Sequence, residues 1–183
     1  TERPIQVLVE ALQQLGAQIS YEKEVGYPPI RIKGQKITAN KVTIHANVSS
    51  QYISALLLIA PKLENGLELT LEGEITSIPY INMTLALLNE IGVKTSFENN
   101  TIKVNHQPSI INRQRITIES DWSSASYWYS IVALSPARTK IKLSSFKENS
   151  LQGDSVLIEI YKNFGVQTSF GNNEIILEKS NYY

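Results

Sequence analysis

Apolar residues recur along this chain at two spacings that follow one another in a fixed order. Leu8, Ala11, Leu12 and Leu15 fall three or four positions apart, which predicts an amphipathic helix over Pro4–Leu15 closed by Gly16. Ala17 to Tyr21 and Ile30-Arg31-Ile32 predict a hairpin. Val42-Thr43-Ile44-His45 reads as a short strand, and the serines of Asn47-Val48-Ser49-Ser50 are suitable N-caps for a helix over Gln51–Ile59 that Pro61 stops. After an Asn65-Gly66 turn, Leu67 to Leu71 alternates as a half-buried strand does. Ser77-Ile78-Pro79 opens a helix over Ile78–Ile91, with Ile81, Leu85, Leu88 and Ile91 on one face and Gly92 behind it. Val93 to Phe97 and Thr101 to Val104 complete a hairpin around Glu98-Asn99-Asn100. The repeat is β-α-β-α-β-β.

A second copy follows. Ser49-Ser50 returns as Ser123-Ser124, and Gly92-Val93-Lys94-Thr95-Ser96-Phe97 as Gly165-Val166-Gln167-Thr168-Ser169-Phe170, at offsets of 74 and 73 residues. A period of that length is too long for a solenoid and implies a duplicated supersecondary unit. The second copy predicts a strand at Ile116-Thr117-Ile118, helices over Ser124–Ala133 and Ser155–Phe164, a strand over Thr139–Leu143 and a hairpin around Gly171-Asn172-Asn173. The segment before Lys41 is the tail of another copy, so the chain holds about two and a half repeats of an α/β (α+β) fold. It opens at Thr1 without an initiator methionine and begins inside a repeat, which is the expectation for a piece of a longer protein. Residues 106–115, polar and interrupted by Pro108, are the candidate linker.

Composition narrows the function. The 183 residues carry 17 Lys+Arg against 17 Asp+Glu, so no bulk field attracts nucleic acid or acidic lipid and any anion site must be local. The absence of cysteine excludes disulfides, thiolate metal sites and a cysteine nucleophile, and agrees with the cytoplasm. The longest apolar run, Ala55 to Ala60, is too short for a membrane span. His45 and His106 lie far apart in sequence and predict no metal site. Asp121 reads as a capping residue, and Trp122, Tyr127, Trp128 and Tyr129 read as core.

The helix starts carry the chemistry. Their unpaired N–H groups and partial positive charge suit either a capping hydroxyl or a phosphate, and Ser49, Ser50 and Ser77 fit both readings. Arg3 ahead of Pro4 opposes the helix dipole unless an anion sits beside it.

Several motifs occur in a recognisable order: Glu2-Arg3-Pro4-Ile5, Tyr27-Pro28-Pro29-Ile30-Arg31-Ile32-Lys33-Gly34, Val48-Ser49-Ser50-Gln51-Tyr52, Ser77-Ile78-Pro79-Tyr80-Ile81 and Ser150-Leu151-Gln152-Gly153-Asp154. In these the chain resembles the 5-enolpyruvylshikimate-3-phosphate synthase family nearly end to end. The resemblance implies six β-α-β-α-β-β repeats shared by two domains, with residues 1–118 in the first and 119–183 beginning the second. It implies transfer of the carboxyvinyl group of phosphoenolpyruvate to the 5-hydroxyl of shikimate 3-phosphate, with no metal or organic cofactor, by a monomeric cytoplasmic enzyme of the shikimate pathway. Ser49, Ser50, Gln51, Ser77 and Tyr80 would then bind shikimate 3-phosphate, and Arg3 and Gln51 phosphoenolpyruvate. The family's lysine motif, Asn-Ala-Gly-Thr loop, catalytic aspartate and glutamate do not occur in these residues, so no catalytic residue is expected among them and the piece alone should be inactive. Where the family often has Gly-Asp, this chain has Ser120-Asp121. The related UDP-N-acetylglucosamine enolpyruvyl transferases and a non-enzymatic binding module are the alternatives; Ser49-Ser50-Gln51 favours the shikimate enzyme.

Overall fold

The first apolar stripe forms helix α1 (Gln6–Gln14), and the alternating segments behind it pair as an antiparallel hairpin, β1 (Gln18–Tyr21) with β2 (Ile30–Lys33). These elements belong to a computed structural model that describes residues 3–47, 49–107 and 116–181. Two compact units make it up, Thr1–Gln114 and Arg115–Tyr183, each with its own core. Helix α1 begins two residues later than Pro4 because the Ile5 N–H donates to the Gly26 carbonyl at 2.8 Å, which leaves Pro4 and Ile5 outside the helix. Its far end lies along the next strand. The Gln14 side-chain amide donates to the Thr43 carbonyl at 3.0 Å and accepts the Thr43 N–H at 2.9 Å.

The main sheet of the first unit has the order β3 (Lys41–His45), β4 (Leu67–Glu72), β6 (Thr101–Val104), β5 (Thr95–Glu98). Strands β3 and β4 are parallel, with Val42 opposite Leu69 and His45 opposite Glu72. Parallel neighbours cannot be joined by a tight turn, and α2 (Ser50–Ile59) supplies the crossover. Strands β4 and β5 run the same way because each is antiparallel to β6, so α3 (Ile78–Glu90) crosses over between them likewise. Both helices therefore start at the edge where β3 and β4 end. Ile53, Leu56 and Leu57 of α2 and Ile81, Leu85 and Leu88 of α3 are buried with Val42, Ile44, Leu69, Leu71 and Ile102 of the sheet. Each such side chain contributes roughly 1.5–3 kcal/mol by leaving water. The other sheet face is solvated and carries a row of charge, Lys41 and Lys103 lying 3.3 and 3.5 Å from the two oxygens of Glu68. The β5–β6 turn places Asn99 at φ 47° and Asn100 at φ 62°, as a two-residue hairpin loop requires.

The second unit repeats the plan. Its sheet is ordered β7 (Lys140–Ser144), β9 (Glu174–Lys179), β8 (Val166–Gly171), matching β4-β6-β5, with α4 (Trp122–Leu134) and α5 (Leu157–Lys162) over it. Trp122, Tyr129, Val132, Phe146, Val166, Ile175 and Leu177 form the core, and the Trp122 ring meets Phe146 edge-on at 5.0 Å. Lys179 on β9 donates to the Ala133 carbonyl at 2.9 Å and the Phe164 carbonyl at 2.8 Å, satisfying the C-terminal ends of α4 and α5 with one ammonium.

Three expectations for this unit need correction. Ile116-Thr117-Ile118 is not a strand: Ser120 donates to the Ser145 carbonyl at 2.6 Å, but no ladder forms upstream among the described residues, and Ile118 is 79% exposed. Of the four aromatic residues assigned to the core, Trp122 and Tyr129 are fully buried, whereas Tyr127 and Trp128 are 73% and 45% exposed. Tyr127 sits on the opposite side of the helix from the buried face and Trp128 on its flank, so helical rotation carries both off the sheet. The helix expected over Ser155–Phe164 is α-helical only at Leu157–Lys162 and fully buries none of its residues; Leu157, Ile158 and Tyr161 are half-buried against the core. A 3₁₀ turn at Gly153–Val156 replaces its start, and bonds from Asn163, Phe164 and Gly165 to carbonyls three residues back tighten its end. Most of the proposed linker, residues 108–115, lies outside the described residues.

Gly66 gives a stability test. It has φ +65°, and a Cβ there would lie 2.3 Å from the Val104 carbonyl oxygen and 2.9 Å from the His106 nitrogen. Both neighbours are backbone and cannot yield cheaply. Gly66→Ala should destabilise the first unit by at least about 1–3 kcal/mol, the usual cost of such backbone strain, read as a lower urea midpoint by far-ultraviolet circular dichroism. An unchanged midpoint would show that the turn can relax.

Candidate functional site

The crossovers bring two helix starts to one end of the first sheet, and a tyrosine brings the start of a third. Ser49 is the N-cap of α2 and Ser77 that of α3. The helices are joined one turn in, where the Ser54 and Thr84 hydroxyls lie 2.9 Å apart and Thr84 also donates to the Tyr80 carbonyl at 3.0 Å. Tyr52, in the first turn of α2, donates its hydroxyl to the Pro4 carbonyl, next to Arg3 and just ahead of α1. Ser49, Ser50, Gln51, Ser77 and Tyr80 therefore sit on two neighbouring helix starts of one unit, and Arg3 lies just ahead of a third.

What these starts lack is as telling as what they carry. No acidic residue occupies the first turn of α1, α2 or α3, so the positive ends of these helices are not offset from within, although Glu72 at the end of β4 and Glu74 stand ahead of α3. The hydroxyls are weakly committed to capping. Ser49 accepts from the Gln51 N–H at 3.4 Å, the long end of the range, and Ser77 makes no side-chain capping bond. Arg3 is exposed and forms no ion pair among the described residues. Positive helix ends, serine hydroxyls and a guanidinium together suit a ligand with a phosphate and a carboxylate.

The corresponding start in the second unit is built differently. Asp121 caps α4, accepting from the Ser123 N–H at 3.0 Å and the Ser124 hydroxyl at 2.8 Å. The Ser124 hydroxyl above all holds the Asp121 carboxyl below its ordinary range; burial opposes it, and the Ser123 N–H adds a smaller lowering. Ser123 gives its hydroxyl to Asp154, and Gln152 takes the Trp122 N–H at 2.9 Å while donating to the Ser120 carbonyl at 2.9 Å. A cleft of about 380 Å³ opens beside Ser120, Asp121, Ser124 and Trp128. With a carboxylate at its mouth and its serines already bonded, it does not suit an anion. Sequence similarity between Ser49-Ser50 and Ser123-Ser124 thus hides opposite electrostatics.

Sequence reasoning missed the residues that hold the starts in place: Tyr52, Ser54 and Thr84 in the first unit, Gln152 and Asp154 in the second. Thr84 was detectable, being a polar residue three positions after Ile81 and one before Leu85 on an apolar face. The long-range partners of Tyr52 and Gln152 left no local signal. Neither histidine joins the site as a ligand: His45 faces Glu72 at 3.8 Å across the parallel pair, and His106 meets the Leu63 carbonyl at 2.8 Å. Among the described residues, no three His, Cys, Asp or Glu side chains converge as metal ligands. No helix there is long and apolar enough to cross a membrane.

The fold is that of the enolpyruvyl transferases. An EPSP synthase from Acinetobacter baumannii superposes with a TM-score of 0.72 at 23% identity, over 98% of this chain and 40% of its own. The enolpyruvyl transferase NikO from Streptomyces tendae superposes with a TM-score of 0.63 at 15% identity, over 97% and 42%. The sequence model of the family described as EPSP synthase (3-phosphoshikimate 1-carboxyvinyltransferase) matches residues 1–183, and the chain belongs to that family. A 3-phosphoshikimate 1-carboxyvinyltransferase of Bacteroides fragilis is 48% identical over 180 residues, and one of Haemophilus ducreyi 37% identical over 180 residues. The chain is covered to 98% in both cases but spans only 43% and 41% of those proteins.

The capping role of Asp121 can be measured separately, since both tryptophans, Trp122 and Trp128, report on the second unit. Asp121→Ala should lower its stability at neutral pH by about 0.5–2 kcal/mol, seen in urea titrations followed by tryptophan fluorescence. A depressed folded-state value means that the charged cap stabilises fully above the unfolded aspartate value of roughly 3.9 and loses its effect as pH falls through the folded one. The gap between parent and variant should therefore close below about pH 4. A gap independent of pH would assign the loss to packing.

Proposed function

We propose that this chain supplies the substrate-anion half of a 3-phosphoshikimate 1-carboxyvinyltransferase. The whole protein would transfer the carboxyvinyl group of phosphoenolpyruvate to the 5-hydroxyl of shikimate 3-phosphate and release inorganic phosphate through a tetrahedral intermediate. One observation carries this reading: three neighbouring helix starts free of acidic residues in their first turns, two of them bearing Ser49, Ser50, Gln51, Ser77 and Tyr80 and the third with Arg3 just ahead of it. In this reading Ser49, Ser50, Gln51 and Ser77 hold the phosphate and hydroxyls of shikimate 3-phosphate, and Tyr80 shapes that pocket. Arg3 forks onto phosphoenolpyruvate with Gln51 alongside; a planar guanidinium suits a carboxylate or phosphate better than an ammonium does. The fixed dipoles cost no reorganisation when charge builds on the transferring group.

The reading places the domain crossing near Glu119, with residues 1–118 in one domain and 119–183 beginning the next. Glu119 supports it by bonding within the second unit, accepting from the Ser150 hydroxyl at 2.6 Å and the Lys147 N–H at 3.3 Å. A monomeric enzyme of the cytoplasm is the setting that goes with it. The names of the sequence relatives favour shikimate 3-phosphate over a nucleotide sugar as acceptor.

In the full-length protein, Arg3→Ala should raise KM for phosphoenolpyruvate about 10- to 100-fold, the equivalent of a lost charge-assisted contact of about 1.5–3 kcal/mol. Ser77→Ala should instead raise KM for shikimate 3-phosphate. Unchanged constants for both substrates in both variants would return these residues to capping.

The 183-residue chain by itself should release no phosphate from the two substrates. It should still bind shikimate 3-phosphate, weakly and with strong salt dependence, since an open site neither excludes water nor shields charge. NMR shifts confined to Ser49, Ser50 and Ser77 would support the half-site. Robust turnover, or no shifts at millimolar ligand, would refute it.

A further inference from the structure

We propose that Tyr52 is the positioning residue for Arg3, holding the arginine in register with Ser49 and Gln51; this rests on the phosphoenolpyruvate role given to Arg3 above. Arg3 has nothing of its own to hold it among the described residues: its side chain is exposed and forms no ion pair there. An arginine side chain carries about 2 kcal/mol of rotamer entropy, and a segment ahead of a helix frays unless it is tied down. The backbone beside Arg3 is tied on two sides. The Tyr52 hydroxyl donates to the Pro4 carbonyl, and the Ile5 N–H donates to the Gly26 carbonyl at 2.8 Å. Pro4 has no N–H, so its carbonyl is the one backbone group through which it can be held.

The two anchors differ in what they connect. Gly26 belongs to the β1–β2 connection; it is buried at φ +92°, and a Cβ there would come 3.2 Å from Gln6 Oε1. That anchor ties Ile5 to the hairpin that follows α1. Tyr52 instead lies in the first turn of α2, its N–H donating to the Ser49 carbonyl at 3.0 Å, so it moves with the residues that flank the site. The tyrosine hydroxyl is thus the direct link, among the described residues, between the Arg3-Pro4 dipeptide and the Ser49-Ser50-Gln51 helix start. A phenylalanine at position 52 would keep the ring and its packing but lose that link.

Tyr52→Phe in the full-length protein separates positioning from folding. We expect KM for phosphoenolpyruvate to rise about three- to tenfold, the range of one lost neutral hydrogen bond. KM for shikimate 3-phosphate and kcat should stay within about twofold, as a lost uniform contact to one substrate requires. In an Arg3→Ala background the tyrosine change should add nothing further, because the group it positions is gone. If Arg3→Ala is defective but Tyr52→Phe alters neither KM, the tether is refuted and the substrate assignment survives. A rise in both KM values with a lower melting temperature would show a structural role only and likewise refute it. If Arg3→Ala leaves KM for phosphoenolpyruvate unchanged, the site assignment and the tether fall together.

Discussion

Parallel pairing of β3 with β4 is the constraint from which the first unit follows. Two neighbouring strands that run the same way oblige the chain to return along the sheet, and α2 does so as an apolar helix. The next crossover, α3, starts from the same edge because β4 and β5 also point the same way. Helix dipoles, unpaired N–H groups and capping serines are thereby gathered at one end without any residue having been chosen for that purpose. The chemistry of the site is then a matter of which side chains stand at those starts, in keeping with the rule that ligands of open α/β sheets bind beyond the carboxyl ends of the strands.

The duplicated repeat shows how far that separation goes. Strand order β4-β6-β5 recurs as β7-β9-β8, and α2 recurs as α4, so the scaffold is shared. The helix start is not. An aspartate replaces the serine cap, and the two serines that follow are bonded to Asp121 and Asp154. The same position of the repeat is a neutral serine cap in one copy and an aspartate in the other. Buried aromatic packing marks the second copy too: Trp122, Tyr129 and Phe146 anchor its core, whereas the core of the first is built of aliphatic residues.

Much of this was legible in the sequence where the signal was periodic. The helical stripes of α1, α2 and α3 and the alternation of β4 came through because burial on one face leaves a repeating trace. Ile116 to Ile118 misled for the complementary reason: alternation records a potential to pair, and the partner ladder did not form. Tyr127 and Trp128 misled because adjacent aromatics cannot all face one way on a helix. Of the site, the serines and Arg3 could be named from motif order, whereas their support could not. Tyr52 reaches Pro4 across 48 residues and Ser54 reaches Thr84 across 30, and such pairings leave no local pattern.

The contact between Gln14 and Thr43 has a consequence for how this protein behaves in company. Strand β3 is the outer strand of its sheet, and an outer strand offers unpaired N–H and C=O groups to any extended chain that drifts past. The Gln14 side chain occupies both groups at the middle of the strand, mimicking the peptide unit of a neighbouring strand. A single amide thus takes up, at the middle of this edge, the two groups that a foreign strand would need there to extend the sheet.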